Sequence, residues 1–390
     1  MARTDTLTNF LTDVATAIKT KKGDSTAILA SDFDTEIANL PSGSAEVIKE
    51  NDVNFWDYDG TLVMSYSAED FLELTSFPDN PSHNGLVAQG WNWTLAGAKS
   101  YVQKSKRLDI GQNYATESGL TEIDVEMTKM TGLTVICNID GNKNWGDGTT
   151  DTSTTHTYED YGSYTITTDG TNFDTSTFGG STSVYEYRVK RIRISNNVST
   201  IRYNTIYGCK SLESVSIPTS ITSFGTSCFR DDSMLKAIVV PNNASLTTYI
   251  FTNCYNLAVA SLPETHDGTT LYDYMFQGCY GLKHISIPSG LTRINGSIFE
   301  RCYTLEKIFI PNTVSTIKNY AFYTNYGLTL LDFSSHTFVP SIDANALGNY
   351  SNNSNNATLK IVVPNSLYDT WITASNWSNY ANYIVKASEA

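Results

Sequence analysis

"CYGLKHISIP", residues 279–288, recurs as "CKSLESVSIP" at 209–218, "CYNLAVASLP" at 254–263 and "CYTLEKIFIP" at 302–311. A fifth copy, "DSMLKAIVVP" at 232–241, carries Asp232 where the others carry Cys. Degenerate copies end at Ser195 ("KRIRIS"), Ser334 ("LTLLDFS") and Pro364 ("LKIVVP"), so the steps between successive proline positions are 23, 23, 22, 25, 23, 23 and 30 residues. A fixed period of this size predicts a solenoid, in which each repeat is one coil that buries its apolar side only against its neighbours.

Each copy places a Leu six residues before the proline position, a Val, Ile, Leu or Ala three before it, and an apolar residue directly before it. Phe229, Phe251, Phe276, Phe299 and Phe322 enter from the preceding turn. These are the expected inward positions. Stacked coils register like with like, so Cys209, Cys254, Cys279 and Cys302 are expected to form a buried column of small apolar thiols. Disulfides along it would demand the narrow geometry of a bridge, so the thiols are expected to be reduced. With strands about 4.8 Å apart, eight coils make a rod of roughly 35 Å. Tyr255, Tyr280, Tyr303 and Tyr326 follow the Cys position and should stack in a line along the rod. They are the receptor-binding candidates, against the competing reading that they pack only on each other; Tyr249, Tyr272 and Tyr320 mark the turns as the other place to look.

The pattern x-F-x-x-C-x-x-L-x-x-I-x-I-P closely resembles the BspA-like leucine-rich repeats, also called the Treponema pallidum type, over about residues 184–364. The resemblance implies a right-handed β-strand solenoid used for adhesion and recognition, not catalysis. The amphipathic tail "SLYDTWITASNWSNYANYIVKA", with Trp371 and Trp377, suits the atypical last unit that a solenoid needs over its open core.

Upstream, "NWGDGTTDTSTTHTYEDYGSYTIT" contains Trp145-Gly146-Asp147-Gly148, His156-x-Tyr158 and Gly162-x-Tyr164-x-Ile166. It resembles the PKD family of immunoglobulin-like sandwiches, with one sheet abbreviated. Asp147 and Asp151 are the residues that would hold a Ca²⁺, but an Asp-Gly turn satisfied by its own backbone is the reading preferred here, with His156 fixing that turn.

Earlier still, "NFWDYDGTLV" at 54–63 has the Asp57-x-Asp59 spacing with which haloacid dehalogenase phosphatases present two carboxylates. Such an enzyme needs an α/β sheet behind the motif, and no alternation of strands with 10–15-residue helices follows. "VNFWDY" and "TLVMSY" instead flank Asp59-Gly60, which predicts a two-residue hairpin turn of type I′ with positive φ at both central residues. "SAEDFLEL" and "TLAGAKSYVQKS" read as short helices, and Trp91 and Trp93 as core or interface anchors. At the N-terminus, Leu7, Phe10, Leu11, Val14 and Ile18 recur at helical spacing and are the attachment candidates, on a helix too short to stand alone. "LTNFLTDVATAIKTKKG", "ILASDFDTEIANL", "FWDYDGTLVMSY" and "GLVAQGWNWTLAGAKSYV" together resemble the N-terminal region of bacteriophage tail, baseplate and fibre proteins.

The 390 residues carry a net charge of −14, with 24 Tyr and 16 Phe but only 17% charged residues. An acidic chain whose longest cationic run is "KRIR" (190–193) is a poor partner for nucleic acid. No run reaches the ~18–20 apolar residues that span a bilayer, and "MARTDTLTNF" does not read as a secretory signal. The six Cys include no CxxC pair for zinc, and the His residues at 83, 156, 266, 284 and 336 show no catalytic pattern. No enzyme activity, cofactor or metal is expected.

The resulting expectation is a mainly β chain: a helical attachment segment (1–44), a small α+β hairpin module (45–118), a PKD-like β-sandwich (119–182), a BspA-like leucine-rich-repeat β-solenoid (183–364) and a C-terminal cap (365–390). The resemblances imply a bacteriophage virion protein, assembled in the host cytoplasm, that joins the tail or baseplate through its N-terminus. Its solenoid would recognise a host-surface saccharide or protein, and a homotrimer is an option. The alternative is a bacterial cell-surface adhesin of the BspA type, with a capsid-attached fibre or decoration protein as a third reading.

Overall fold

The coils stack with their strands parallel and in register. A computed structural model describes residues 52–174, 177–178, 187–242, 244–264, 270–348 and 358–390, all of them in one compact unit, Glu50–Ala390. The attachment candidates Leu7, Phe10, Leu11, Val14 and Ile18 lie outside the described residues, as does His266. The chain is mainly β, 12% helical, with a β-solenoid of about 8 turns.

Most coils contribute one short strand just before the proline position; the coil ending at Pro288 makes only a single parallel bridge, from His284 to Lys307. Ala237, Ile238 and Val239 pair with Val259, Ala260 and Ser261, and Lys307–Phe309 pairs with Leu330–Asp332, which pairs with Lys360–Val363. A second set of two-residue strands stacks elsewhere on the coil, as in the pairing of Arg293–Ile294 with Thr316–Ile317 and of that with Ser341–Ile342. Successive strand residues point to opposite faces. The middle residues Val215, Ile238, Ala260, Ile285, Ile308, Leu331 and Ile361 therefore enter the core, all at 5% exposure or less.

Inside, like stacks on like. The Phe229, Phe251, Phe276, Phe299 and Phe322 rings stack with centroids 5.4–5.8 Å apart. All six cysteines are buried and free. In three of them the thiol also donates to the backbone carbonyl of a Phe in the column: Cys254 to Phe229 (3.0 Å), Cys279 to Phe251 (3.1 Å) and Cys302 to Phe276 (3.2 Å). The cysteine is thus a small core residue with a weak donor that ties one coil to another, which apolar packing alone did not suggest.

Both ends of the stack are covered. At the front, the first coil strand, Val189–Arg193, pairs in parallel with Ser214–Ser216 and antiparallel with Thr121–Met127, which pairs in turn with Gly162–Thr168. One sheet therefore runs from the region before the repeats into the solenoid, and one apolar core underlies both. At the back, Ile384–Lys386 adds a last parallel strand to Lys360–Val363. Trp371 and Trp377 are buried against Phe333 and Tyr380 is buried beside them in the same core, and the Trp377 indole donates to the Pro340 carbonyl (2.7 Å).

The segment before the repeats also folds as a sheet with two helices. Strands β1 (Val53–Trp56) and β2 (Leu62–Tyr66) form a hairpin; helix α1 (Ala68–Glu73), strand β3 (Leu86–Trp91), helix α2 (Leu95–Ser105) and strand β4 (Leu108–Thr116) follow. The sheet order is β2-β1-β4-β3. Each helix starts where a hydroxyl can cap it: Ser67 accepts from the Asp70 amide and Thr94 from that of Gly97. One sheet face, with Val53, Phe55, Leu108 and Ile110, buries against Phe71, Ala98 and Val102 of the helices.

One expectation needs correction here. The hairpin loop has three residues, Tyr58-Asp59-Gly60, closed by the bond from the Asp57 amide to the Thr61 carbonyl (2.8 Å), and only Gly60 has positive φ (91°). The Asp side chains explain the longer loop: Asp57 accepts from the Tyr58 amide and Asp59 from that of Thr61, bonds that favour a turn ending in one left-handed glycine. The module also packs directly on the solenoid. Its second sheet face lies on the outward side of the coil strands, where the Asn92 side chain donates to the Val240, Ser261 and Leu262 carbonyls (3.0–3.3 Å) and Asn113 to that of Ile217 (3.0 Å). Ser216 donates to the Tyr114 carbonyl and Ser261 to that of Asp109. Trp56 packs on Ala237 and Val259.

Gly111 makes this approach possible, because a Cβ there would meet both methyls of Val239 at 2.5 Å. Gly111→Ala should cost about 1–3 kcal/mol, the range for overfilling a packed interior. Urea unfolding of the full chain checks it, and an unchanged midpoint would show that the two sheets are not tightly apposed.

Candidate recognition surface

Identical spacing carries outward as well as inward. Tyr255–Tyr280 and Tyr280–Tyr303 stack at 4.7 Å with planes 14° apart, and Tyr303–Tyr326 at 5.6 Å and 20°. The structure thus brings the four receptor-binding candidates into one ladder. Tyr255, Tyr303 and Tyr326 are 39%, 37% and 56% exposed. Such stacking covers the ring faces between neighbours, so a sugar ring has no room to lie between them; the ladder offers hydroxyls and ring edges. Partial burial, then the neighbouring Tyr280, raises the pKa of Tyr255 and of Tyr303, so these phenols stay protonated and able to donate at neutral pH.

A shorter ladder runs on the turns, where Tyr249 stacks on Tyr274 at 4.7 Å and the Arg230 guanidinium lies 5.7 Å from the Tyr249 ring and 6.0 Å from that of Tyr207. Tyr272 packs partly into the core, and Tyr320, 43% exposed, meets Tyr323 edge-on.

Two histidines face carboxylates; the sequence reading set His156 at the Asp147-Gly148 turn but gave His83 no partner. His83 Nε2 lies 2.6 Å from Asp57, and its ring meets Tyr58 and Tyr114 edge-on. His156 Nε2 lies 2.6 Å from Asp147 with its ring stacked on Trp145. Desolvation would raise the Asp147 pKa, but bonds from Thr149 and His156 outweigh it and hold it at about 2. Asp151 accepts from the Trp145 indole and the Ser153 amide. The WGDG carboxylates are thus engaged in local bonds, and among the described residues no group of three or more His, Cys, Asp or Glu is placed to hold a metal.

The cysteine column is interrupted at Asp232 and Asn325. The Asp232 carboxylate is fully buried and accepts from the Cys209 amide (2.6 Å), as the Asn325 carbonyl does from that of Cys302 (2.9 Å). Burial pushes the Asp232 pKa well above the usual carboxylate range. A raised folded-state value means that the stability contributed is full below the unfolded value, about 3.9, and is lost as pH rises through the folded one. Asp232→Asn keeps the acceptor without the charge. It should raise Tm at pH 7 by at least about 2 °C and change it little near pH 4, and equal Tm values at pH 7 would show that Asp232 carries no such penalty.

Comparison with known proteins completes the picture. The BspA type leucine rich repeat region matches residues 162–270 and 246–368, in six copies. No curated protein matches the chain. Among solved structures, a Treponema pallidum leucine rich repeat protein is 22% identical, with a TM-score of 0.34, over 38% of this chain and 67% of its own. A Bacteroides ovatus leucine-rich repeat protein is 22% identical, with a TM-score of 0.36, over 53% of this chain and 61% of its own. A leucine rich cell surface protein of Faecalibacterium prausnitzii is 20% identical, with a TM-score of 0.23, over 40% of this chain and 61% of its own. The chain thus spans 61–67% of the length of these three. The repeat match alone covers more than half of the 390 residues, and by it this chain belongs to the BspA type leucine rich repeat family.

Proposed function

We propose that this protein is a surface recognition protein of the BspA adhesin kind, binding a saccharide or protein partner through the tyrosine ladder. The observation that carries this reading is the contrast between the two sides of the solenoid. The strand side of the earlier coils is covered by the chain's own α+β module, while Tyr255, Tyr280, Tyr303 and Tyr326 form an aligned row of partly exposed rings. Tyrosine offers large rigid contact area at low entropic cost. The overall charge of −14 favours a neutral partner over an anionic wall.

Tyr280→Phe with Tyr303→Phe keeps the stack and removes two hydroxyls. Tm should stay within about 2 °C while binding to whole cells falls at least tenfold. The corresponding double change to Ser also removes three stacked pairs, worth about 0.5–1.5 kcal/mol each, so it should lower Tm as well. Unchanged cell binding in both double variants would assign the ladder to packing alone.

A second reading sets the same recognition surface on a bacteriophage virion. It is favoured by the N-terminal strings that resemble tail and fibre proteins. On that reading, deletion of residues 1–44 leaves a folded remainder that no longer enters particles. Antibody to the solenoid that labels cells in a phage-free culture, and no virions, would reject it in favour of the cell-surface setting.

A further inference from the structure

The strand side of the solenoid changes character along its axis. Its outward residues are Ser214 and Ser216 in one coil, Ala237 and Val239 in the next, then Val259 and Ser261, with Ser286 after them. The α+β module lies on this small-residue stretch. At the following coils the outward residues become Lys307, Phe309, Leu330 and Asp332. There the module ends, at the C-terminus of α2, and a cleft of about 310 Å³ remains between them.

The floor of the cleft is apolar: Phe309 and Leu330 lie in adjacent coils, and the Tyr101 ring of α2 meets that of Phe309 edge-on at 6.0 Å. The rim carries Lys106, the residue that ends α2, and Lys307 from the coil. Both are exposed, and among the described residues neither ammonium has an ion-pair partner. The carboxylates on the same rim have local partners. Asp52 accepts from the Ala68 amide (2.9 Å) and Asp332 from that of Ser334 (2.8 Å). Arg107 faces Asp109 at 3.6 Å.

Two cations without an ion-pair partner thus flank an aromatic and an aliphatic side chain in one cleft. We propose that this cleft is a binding site for a single sugar ring bearing a carboxylate. The apolar face of the ring would lie on Phe309 and Leu330, and its carboxylate would take charge-assisted hydrogen bonds from Lys106 and Lys307. The volume, at the lower end of the range for ligand pockets, holds one ring and excludes an oligosaccharide lying flat. The site is separate from the tyrosine ladder, and its test does not depend on cell binding.

The experiment is calorimetric titration of the full chain with sodium glucuronate, with methyl glucoside as the same ring without the charge, and with sodium acetate as the charge without the ring. Glucuronate should bind at least tenfold more tightly than either control. Lys106→Gln and Lys307→Gln should each weaken it tenfold or more at unchanged Tm, because both side chains are exposed and unpaired, while Tyr280→Phe with Tyr303→Phe leaves it intact. Absence of glucuronate binding at 10 mM, equal binding of acetate or methyl glucoside, or indifference to both lysine changes would each overturn the proposal.

Discussion

The structure depends on one spacing. Parallel strands hydrogen-bond at about 4.8 Å, and every coil is held to its neighbour at that distance. A side chain at a given place in one coil must therefore tolerate the same place in the next. Flat rings tolerate it best, which is why phenylalanines stack in the core and tyrosines at 4.7 Å on the surface. A thiol is small enough to repeat without crowding. Where the column changes chemistry, at Asp232 and Asn325, the replacement is a polar group that accepts a backbone amide from the preceding coil. An interior this regular has two exposed ends, and the chain covers both, with an antiparallel sheet before the first coil and a cluster of Trp and Tyr after the last.

The same spacing makes the strand side a flat surface on which another sheet can lie. Small outward residues leave room for it. The α+β module meets them with Gly111, Asn92 and Asn113, so that backbone carbonyls of the coils are satisfied by side-chain amides in a buried layer. A buried polar layer of this kind rigidifies an interface when it is satisfied and destabilises it when it is not. The amide bonds hold the module on the solenoid, while in the same layer the Asp109 Oδ2, Gln112 Oε1 and Asn113 Oδ1 oxygens have no hydrogen-bond partner among the described residues. On the proposed readings, recognition falls to the tyrosine row and to the cleft beyond the end of α2.

The repeats were legible because periodicity is a local property. Leu, Phe and Cys recurring every 22–25 residues identify the inward positions without any knowledge of partners. Both short helices of the α+β module stand where "SAEDFLEL" and "TLAGAKSYVQKS" place them, since a capping hydroxyl and an apolar face are also local. The hairpin turn was misjudged by one residue because Asp57 and Asp59 bond to backbone amides within the loop, a choice that the Asp-Gly pair does not reveal. His83 with Asp57 was missed because the pair follows no helical or strand spacing, whereas His156, read as fixing the Asp147-Gly148 turn, does meet Asp147.

The sequence by itself determined the solenoid, its period, its inward residues and the alignment of its tyrosines, all consequences of a repeating chain stacked on a fixed hydrogen-bond distance. Only the tertiary structure decided that the strand side of the earlier coils is covered. The contacts that fill it, such as Asn92 with Ser261 across 169 residues, join a segment that does not repeat to one that does. Nothing in either pattern encodes the other, and the match appears only when the small residues of one sheet lie against the glycine and amides of the second.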